Sequence, residues 1–142
     1  MKGKTVVTEA LIQAYRETHF IAYQPKRLVL QVGSHYAELA QLHAQFGARS
    51  SAFITACNPF SQEVGAAINV ERTIRLEADL RETRFKYFEG VGEHPSGNWP
   101  GEVSFLVLGI PLEAARALGS RHEQNAVVWS DADAVPQLIL LR

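Results

Sequence analysis

The chain has 142 residues, of which 46% are hydrophobic, and a formal net charge of -1. This length supports one domain with a full core and is too short for two comfortable ones. Fourteen basic residues stand against fifteen acidic ones with no long run of either sign, which disfavours nucleic acid as a partner. A single cysteine excludes an internal disulfide, and neither a signal peptide nor a membrane-spanning stretch is recognisable, so we expect a cytoplasmic protein.

The N-terminal region predicts a helix. Thr8 is a favoured N-cap, and apolar residues from Leu11 to Ala22 recur at helical spacing, with His19 on the same stripe. This helix is expected to end before Pro25.

A strand, a helix and a second strand are predicted next. Leu28–Val32 and Phe53–Cys57 are apolar runs of strand length, and His35–Phe46 between them has a helical pattern that Gly47 closes. This order is typical of a βαβ unit, with two parallel strands joined by a right-handed crossover.

A long helix is predicted to begin just after Cys57 and to run to about Arg84. Asn58 is a favoured N-cap and Pro59 suits the first helical position, although Ser61 is an alternative cap. Either start leaves free backbone N–H groups that, with the helix dipole, favour an anion or a carbonyl oxygen. Plain capping without a ligand is the alternative interpretation.

The second half of the chain adds strands to the sheet. A loop is predicted over Glu93–Glu102, and Pro111 opens a helix that runs to about Leu118 and closes at Gly119. The predicted strands are Phe85–Val91, Ser104–Leu108, Ala126–Trp129 and Gln137–Leu141, the last two forming an antiparallel hairpin. We therefore expect one α/β domain over residues 1–142, with a mixed sheet of about five or six strands, a βαβ unit and flanking helices.

Polar side chains cluster at the predicted strand ends. Ligands of open α/β sheets bind outside the carboxyl ends of the parallel strands, so Asn58 lies where a pocket would form. Amide and hydroxyl groups with one Arg suit the binding of a small polar or anionic molecule. Alternatively, these side chains only brace turns. For Arg72, the ordinary role would be a surface ion pair. The predicted ligand-binding residues are Thr55, Asn58, Ser61, Gln62, Asn69, Arg72, Ser104, Gln124 and Asn125.

Most catalytic templates are missing from the sequence. It has no G-x-G-x-x-G, P-loop, G-x-S-x-G, C-x-x-C or H-E-x-x-H motif, and the five histidines do not pair at ligand spacing. We therefore predict no metal site and assign no cofactor. Cys57 with His94 would supply a nucleophile and a base, but a buried, inert cysteine is the commoner case. If the protein is an enzyme, Glu102 is the candidate acid or base.

Several segments together resemble the bacterial domain-of-unknown-function family 3293 over nearly the whole chain. They are AYRETHF, FITACNPFSQ, the Asn69 position, GVGEHPSGNWPGEVSFLVLGI and RHEQNAVVW. The resemblance implies a single α/β domain and brings no activity, substrate or cofactor. Two positions depart from the family pattern: Cys57 replaces an aromatic residue, and Glu102-Val103-Ser104 replaces Glu-Pro-Ser. The first departure argues against thiol chemistry at Cys57.

Two classes of function stay open. One is a binder of small molecules, or an enzyme acting on them, whose site lies at the sheet edge next to Asn58 and Pro59. The other is a protein–protein interaction module without catalytic activity, in which a sheet edge pairs with a partner, and a homo-oligomer is compatible with either. Trp99 puts a large apolar ring in a polar loop, so we predict a lid over the site, with plugging of the core edge as the alternative.

Overall fold

A computed structural model describes residues 5–142, and in this part of the chain four α-helices pack on one seven-stranded antiparallel sheet. The helices are α1 (Glu9–Glu17), α2 (Ala37–Gln45), α3 (Ala66–Arg81) and α4 (Leu112–Arg121). The strands are β1 (His19–Ala22), β2 (Leu28–Leu30), β3 (Ser51–Thr55), β4 (Lys86–Glu93), β5 (Glu102–Leu108), β6 (Ala126–Ser130) and β7 (Pro136–Leu140). The expectation of an α/β domain is confirmed, with more strands than the five or six predicted.

The strand order is β2-β1-β4-β5-β3-β6-β7, and every neighbouring pair is antiparallel. The predicted mixed sheet and βαβ unit are therefore wrong, because β2 and β3 are separated by three other strands. The predicted hairpin of β6 and β7 is confirmed. Short connections explain β1–β2 and β6–β7, whereas the partners of β3 come from distant sequence.

The first helix ends earlier than its apolar spacing predicts. Thr8 does cap it, accepting a hydrogen bond from the Leu11 N–H at 3.2 Å, but α1 stops at Glu17. His19–Ala22 instead forms β1, which pairs with β2 on one side and β4 on the other. Pairing on both edges satisfies the backbone of this segment, so tertiary structure overrides the local helical pattern.

The third helix begins later than predicted. Neither Asn58 nor Ser61 caps it, because Asn58 has a left-handed φ of 48° and a short 3₁₀ turn, Pro59–Ser61, follows it. The N-cap of α3 is Gly65, and the helix ends at Arg81 rather than near Arg84. The predicted binding site at the N-terminus of a long helix that starts at Asn58 is therefore not formed, because the long helix begins at Ala66.

Several smaller boundaries also differ from expectation. Strand β4 extends to Glu93 and β5 begins at Glu102, so both ends of the predicted Glu93–Glu102 loop lie in strands. Strand β3 lies two residues towards the N-terminus of the predicted Phe53–Cys57 strand. Gly119 lies inside α4 rather than at its end. A Cβ at this position would lie 2.5 Å from Val127 Cγ1. The helix needs glycine at this position to pack closely on β6.

The core is divided between the two faces of the sheet. On the first face, Leu39 and Leu42 of α2 pack with residues such as Phe53 and Leu106. On the second face, α3 and α4 pack on the alternate residues of the same strands, with Leu76 and Leu80 of α3 fully buried. This alternation follows from the two-residue period of a strand. Between residues 5 and 142, none of the helices has the length and apolar content needed to cross a membrane.

Candidate functional site

A cavity of about 290 Å³ opens on the first face of the sheet, between α1, the strands and the loop that joins β4 to β5. Its size is close to the lower end of the range for small-molecule sites. Four aromatic side chains are among the residues lining it: Tyr15, Phe20, Phe53 and Trp99. We refer to it as the Glu102 cavity, after its acidic residue.

A missing side chain in the sheet helps to form the Glu102 cavity. Gly92 of β4 lies directly between Phe20 of β1 and Glu102 of β5. Residues paired in this way point to the same face of a sheet, so a row of three neighbouring positions holds a ring, no side chain and a carboxyl group. The space beside Gly92 is left open to the cavity.

The Glu102 carboxyl group is held by two donors. Asn58 Nδ2 donates to Glu102 Oε2 at 2.7 Å, and Trp99 Nε1 donates to the same oxygen at 3.2 Å. Within residues 5–142, Glu102 Oε1 has no hydrogen-bond partner, and the residue lines the cavity. One carboxyl oxygen is thus fixed by the protein, and the other is available to a bound molecule.

Asn69 of α3 determines which end of the Asn58 amide faces Glu102. The Asn58 backbone N–H donates to Asn69 Oδ1 at 2.8 Å, so Asn69 must present its Nδ2, which donates to Asn58 Oδ1 at 2.9 Å. Asn58 is then left with Nδ2 to donate to Glu102. Because a backbone N–H can only donate, the polarity of this asparagine pair is unambiguous.

The pKa of Glu102 is raised from its ordinary value of 4.5, because burial disfavours the charged carboxylate more than the bonds from Asn58 and Trp99 favour it. A raised pKa in the folded state means that the carboxyl group supports stability below pH 4.5. That support is lost as the pH rises through the folded-state pKa.

Glu102→Gln should therefore raise the melting temperature by a few degrees at about pH 8 and by less at about pH 5. The amide keeps the size of the side chain and an oxygen for the two donors, and it removes the buried charge. Thermal melts of both proteins at the two pH values test this. Glu113→Gln, at a side chain that is 84% exposed, is the control and should show a smaller dependence. An equal gain at both pH values would contradict the assignment.

Several of the predicted site residues do meet at the cavity. Thr55, Ser61, Trp99, Glu102 and Ser104 all line it. Thr55 and Ser104 are adjacent because β3 and β5 are antiparallel, which brings the end of one strand beside the start of the other. The residues converge, although the parallel sheet edge from which their meeting was predicted does not exist.

Asn125 joins the cavity wall indirectly. Its Nδ2 lies 3.2 Å from the Tyr15 hydroxyl and 3.1 Å from Ser61 Oγ, and these two hydroxyl groups are 2.6 Å apart. The amide therefore holds two polar groups that face the cavity.

Like Asn58, Asn69 and Asn125, three further predicted residues are not among those that line the Glu102 cavity. Arg72 binds the carbonyl oxygens of Ala56 and His122 at 2.6 and 2.7 Å, and it also contacts Glu123. Gln124 Nε2 donates to the carbonyl oxygens of Cys57 and His122, and Gln62 is exposed. Arg72 and Gln124 brace the chain around Cys57 behind the site.

Other proposed chemistries have little support in the described residues. The buried Cys57 sulfur lies 3.6 Å from the Val103 carbonyl oxygen and 3.8 Å from Thr73 Oγ1. His94 lines the cavity and contacts Glu17 and Ser96 rather than Cys57. Over residues 5–142, no group of three or more His, Cys, Asp or Glu side chains comes together in a way that would hold a metal ion.

Comparison with known proteins identifies the family. Residues 54–127, just over half of the chain, match the family model described as Protein of unknown function (DUF3293). The chain belongs to the DUF3293 family. No curated protein and no solved structure matches it. The matched segment of this DUF3293 chain contains the asparagine pair and two of the polar residues that line the cavity, Trp99 and Glu102.

The apolar wall of the Glu102 cavity was not predicted from the sequence. Tyr15 and Phe20 belong to α1 and β1, and Gly92 to β4, and none of them was assigned to a site. Tyr15 and Phe20 fall within the AYRETHF segment that resembles the family, which was the only sequence signal for them. Nothing local in the sequence indicates that Gly92 lies beside Glu102.

Proposed function

We propose that this DUF3293 protein binds a small molecule with an apolar body and a polar head in the Glu102 cavity. The observation that carries the proposal is the single Glu102 carboxyl group, whose Oε2 is bound by the protein and whose Oε1 is left to the cavity. A mostly apolar cavity with a few convergent polar groups is the usual form of a small-molecule site.

The arrangement favours a polar ligand over an anionic one. In the described part of the chain, Glu102 carries the only carboxyl group among the lining residues, and these include neither Lys nor Arg. Arg72 was predicted to bind an anion, but its guanidinium group donates hydrogen bonds to backbone carbonyl oxygens. An anion in the cavity would face repulsion from an ionised Glu102, with neither Lys nor Arg beside it to compensate.

Binding should be abolished when the space beside Gly92 is filled. A Cβ at Gly92 would lie 3.7 Å from Phe20 Cδ1 and from Thr18 Cγ2, which is ordinary contact, so Gly92→Val can extend into the cavity while the strand is kept. We would screen small molecules by thermal shift with the wild type and repeat the hits with Gly92→Val, because specific binding to the native state raises the melting temperature.

Val103→Ile is the matched control for this experiment. Val103 is adjacent to Glu102 on β5 but points to the other face of the sheet, and it is 39% exposed. Hits should shift this variant as they shift the wild type. Hits that shift Gly92→Val equally would place the binding site elsewhere, and a screen without hits would favour the interaction module.

Catalysis by Glu102 and a cytoplasmic location remain proposals from the sequence.

A further inference from the structure

We propose that the polar head of the ligand is an ammonium group, bound by Glu102 Oε1 and the aromatic walls of the cavity. This inference rests on the proposed function, since it names the class of molecule that the Glu102 cavity takes. It identifies the ligand as a small amine with an apolar body.

The asparagine pair makes Glu102 Oε1 an acceptor that points at the ligand. Asn69 forces Asn58 to donate through Nδ2, and Trp99 can only donate through its indole N–H, so Glu102 Oε2 is occupied by two donors. Any further proton on the carboxyl group must therefore reside on Oε1. In its ionised form, Oε1 accepts a hydrogen bond from a donor in the cavity.

The walls around this oxygen suit a cation with an apolar body. Phe20 and Phe53 pack with ring centroids 5.4 Å apart, and Tyr15 and Trp99 also line the cavity. The face of an aromatic ring attracts a cation, and a set of aromatic walls is the arrangement that proteins use for alkylammonium groups. A carboxylate with aromatic neighbours thus provides both charge and apolar contact.

No fixed positive charge competes for Glu102 in the described part of the cavity, where the lining residues include neither Lys nor Arg. Besides Glu102, the titratable side chains that line the cavity are Tyr15 and His94. Glu17 of α1 is a hydrogen-bond partner of His94. His94 Nε2 contacts Glu17 Oε1 at 2.9 Å, and its Nδ1 contacts Ser96. The histidine is therefore engaged at both nitrogens.

Binding of an amine would also complete the environment of a buried acid. Burial raises the pKa of Glu102, and a cation beside Oε1 favours the ionised form. If the acid is protonated and the amine neutral on arrival, the proton passes from Oε1 to the nitrogen. The O–H bonding electrons stay on the carboxylate, and the nitrogen lone pair forms the new N–H bond.

Three probes of similar shape test the ligand class: cyclohexylmethylamine, cyclohexylmethanol and cyclohexanecarboxylate. We expect calorimetry at neutral pH to show the amine binding the wild type about tenfold more tightly than the alcohol, with the carboxylate weakest. In Glu102→Gln the amine should lose this advantage, while the alcohol keeps its affinity. Gly92→Val should bind none of the three, and thermal melts would establish that both variants are folded.

The outcomes separate this inference from the proposed function. Equal affinity of the three probes for the wild type, lost in Gly92→Val, would overturn the ammonium assignment and leave the cavity as a binding site. Preference for the amine that survives in Glu102→Gln would also overturn it. Failure of all three probes to bind at their highest soluble concentration would overturn it as well, and the wider screen would then decide the proposed function.

Discussion

Gly90→Ala is expected to destabilise the protein by about 3 kcal/mol or more, whereas Gly92→Ala on the same strand should be nearly neutral. A Cβ at Gly90 would lie 2.2 Å from the Ile21 carbonyl oxygen and 2.9 Å from Phe53 Cζ. The first contact is with backbone, so it can be relieved only by moving β1 away from β4. That movement would disrupt the four-residue pairing of these strands.

Gly92 offers a closely matched control. It points to the same face of β4, but the nearest atoms to its added Cβ are side-chain carbons at 3.7 Å. Alanine there also restricts the unfolded chain, which offsets any small strain that the added methyl group causes. Urea unfolding of both variants measures the difference. A Gly90→Ala protein as stable as the Gly92→Ala protein would show that β1 does not approach β4 in this way.

Arg72→Ala is expected to lower the free energy of unfolding by about 3 kcal/mol, far more than a surface ion pair would. The side chain is 14% exposed, and its Nε and Nη2 donate to the carbonyl oxygens of Ala56 and His122. Removing the guanidinium leaves both acceptors without these charged donors. The contact with Glu123, whose side chain is 52% exposed, contributes little because solvent screens it.

Arg75→Ala is the control for Arg72→Ala. Arg75 lies one turn away on α3 and is exposed, so its removal should change stability by less than about 0.5 kcal/mol. Denaturant unfolding of both variants gives the comparison, and binding of any cavity ligand to the folded Arg72→Ala protein should persist. Loss of binding without loss of stability would instead support the sequence hypothesis that Arg72 contacts the ligand.

Local patterns predicted the elements better than their arrangement. Thr8, Pro111 and the hairpin of β6 and β7 depend on short-range rules, and the structure follows them. The parallel unit was wrong because the order of strand and helix along the chain does not specify which strands pair. The pairing of β3 with β5 and β6 joins distant segments, and no local signal encodes it.

The polar half of the candidate site could be predicted for a related reason. Asn58, Asn69 and Glu102 are polar residues at unusual positions in otherwise apolar surroundings, which makes them visible in the sequence. The roles of the asparagines were not visible, because they depend on hydrogen bonds between residues that are 11 and 44 positions apart. The apolar wall required knowledge of the register of β1, β4 and β5.

The position of β3 in the sheet has a consequence for synthesis of the protein. Strand β3 ends at Thr55, and its two partners begin at Glu102 and Ala126, so both of its edges wait for chain that is made later. A ribosome-bound chain that stops before Glu102 exposes two unpaired edges of an apolar strand, a form that invites aggregation. Native pairing of this strand therefore cannot be complete until the segments that form β5 and β6 have been synthesised.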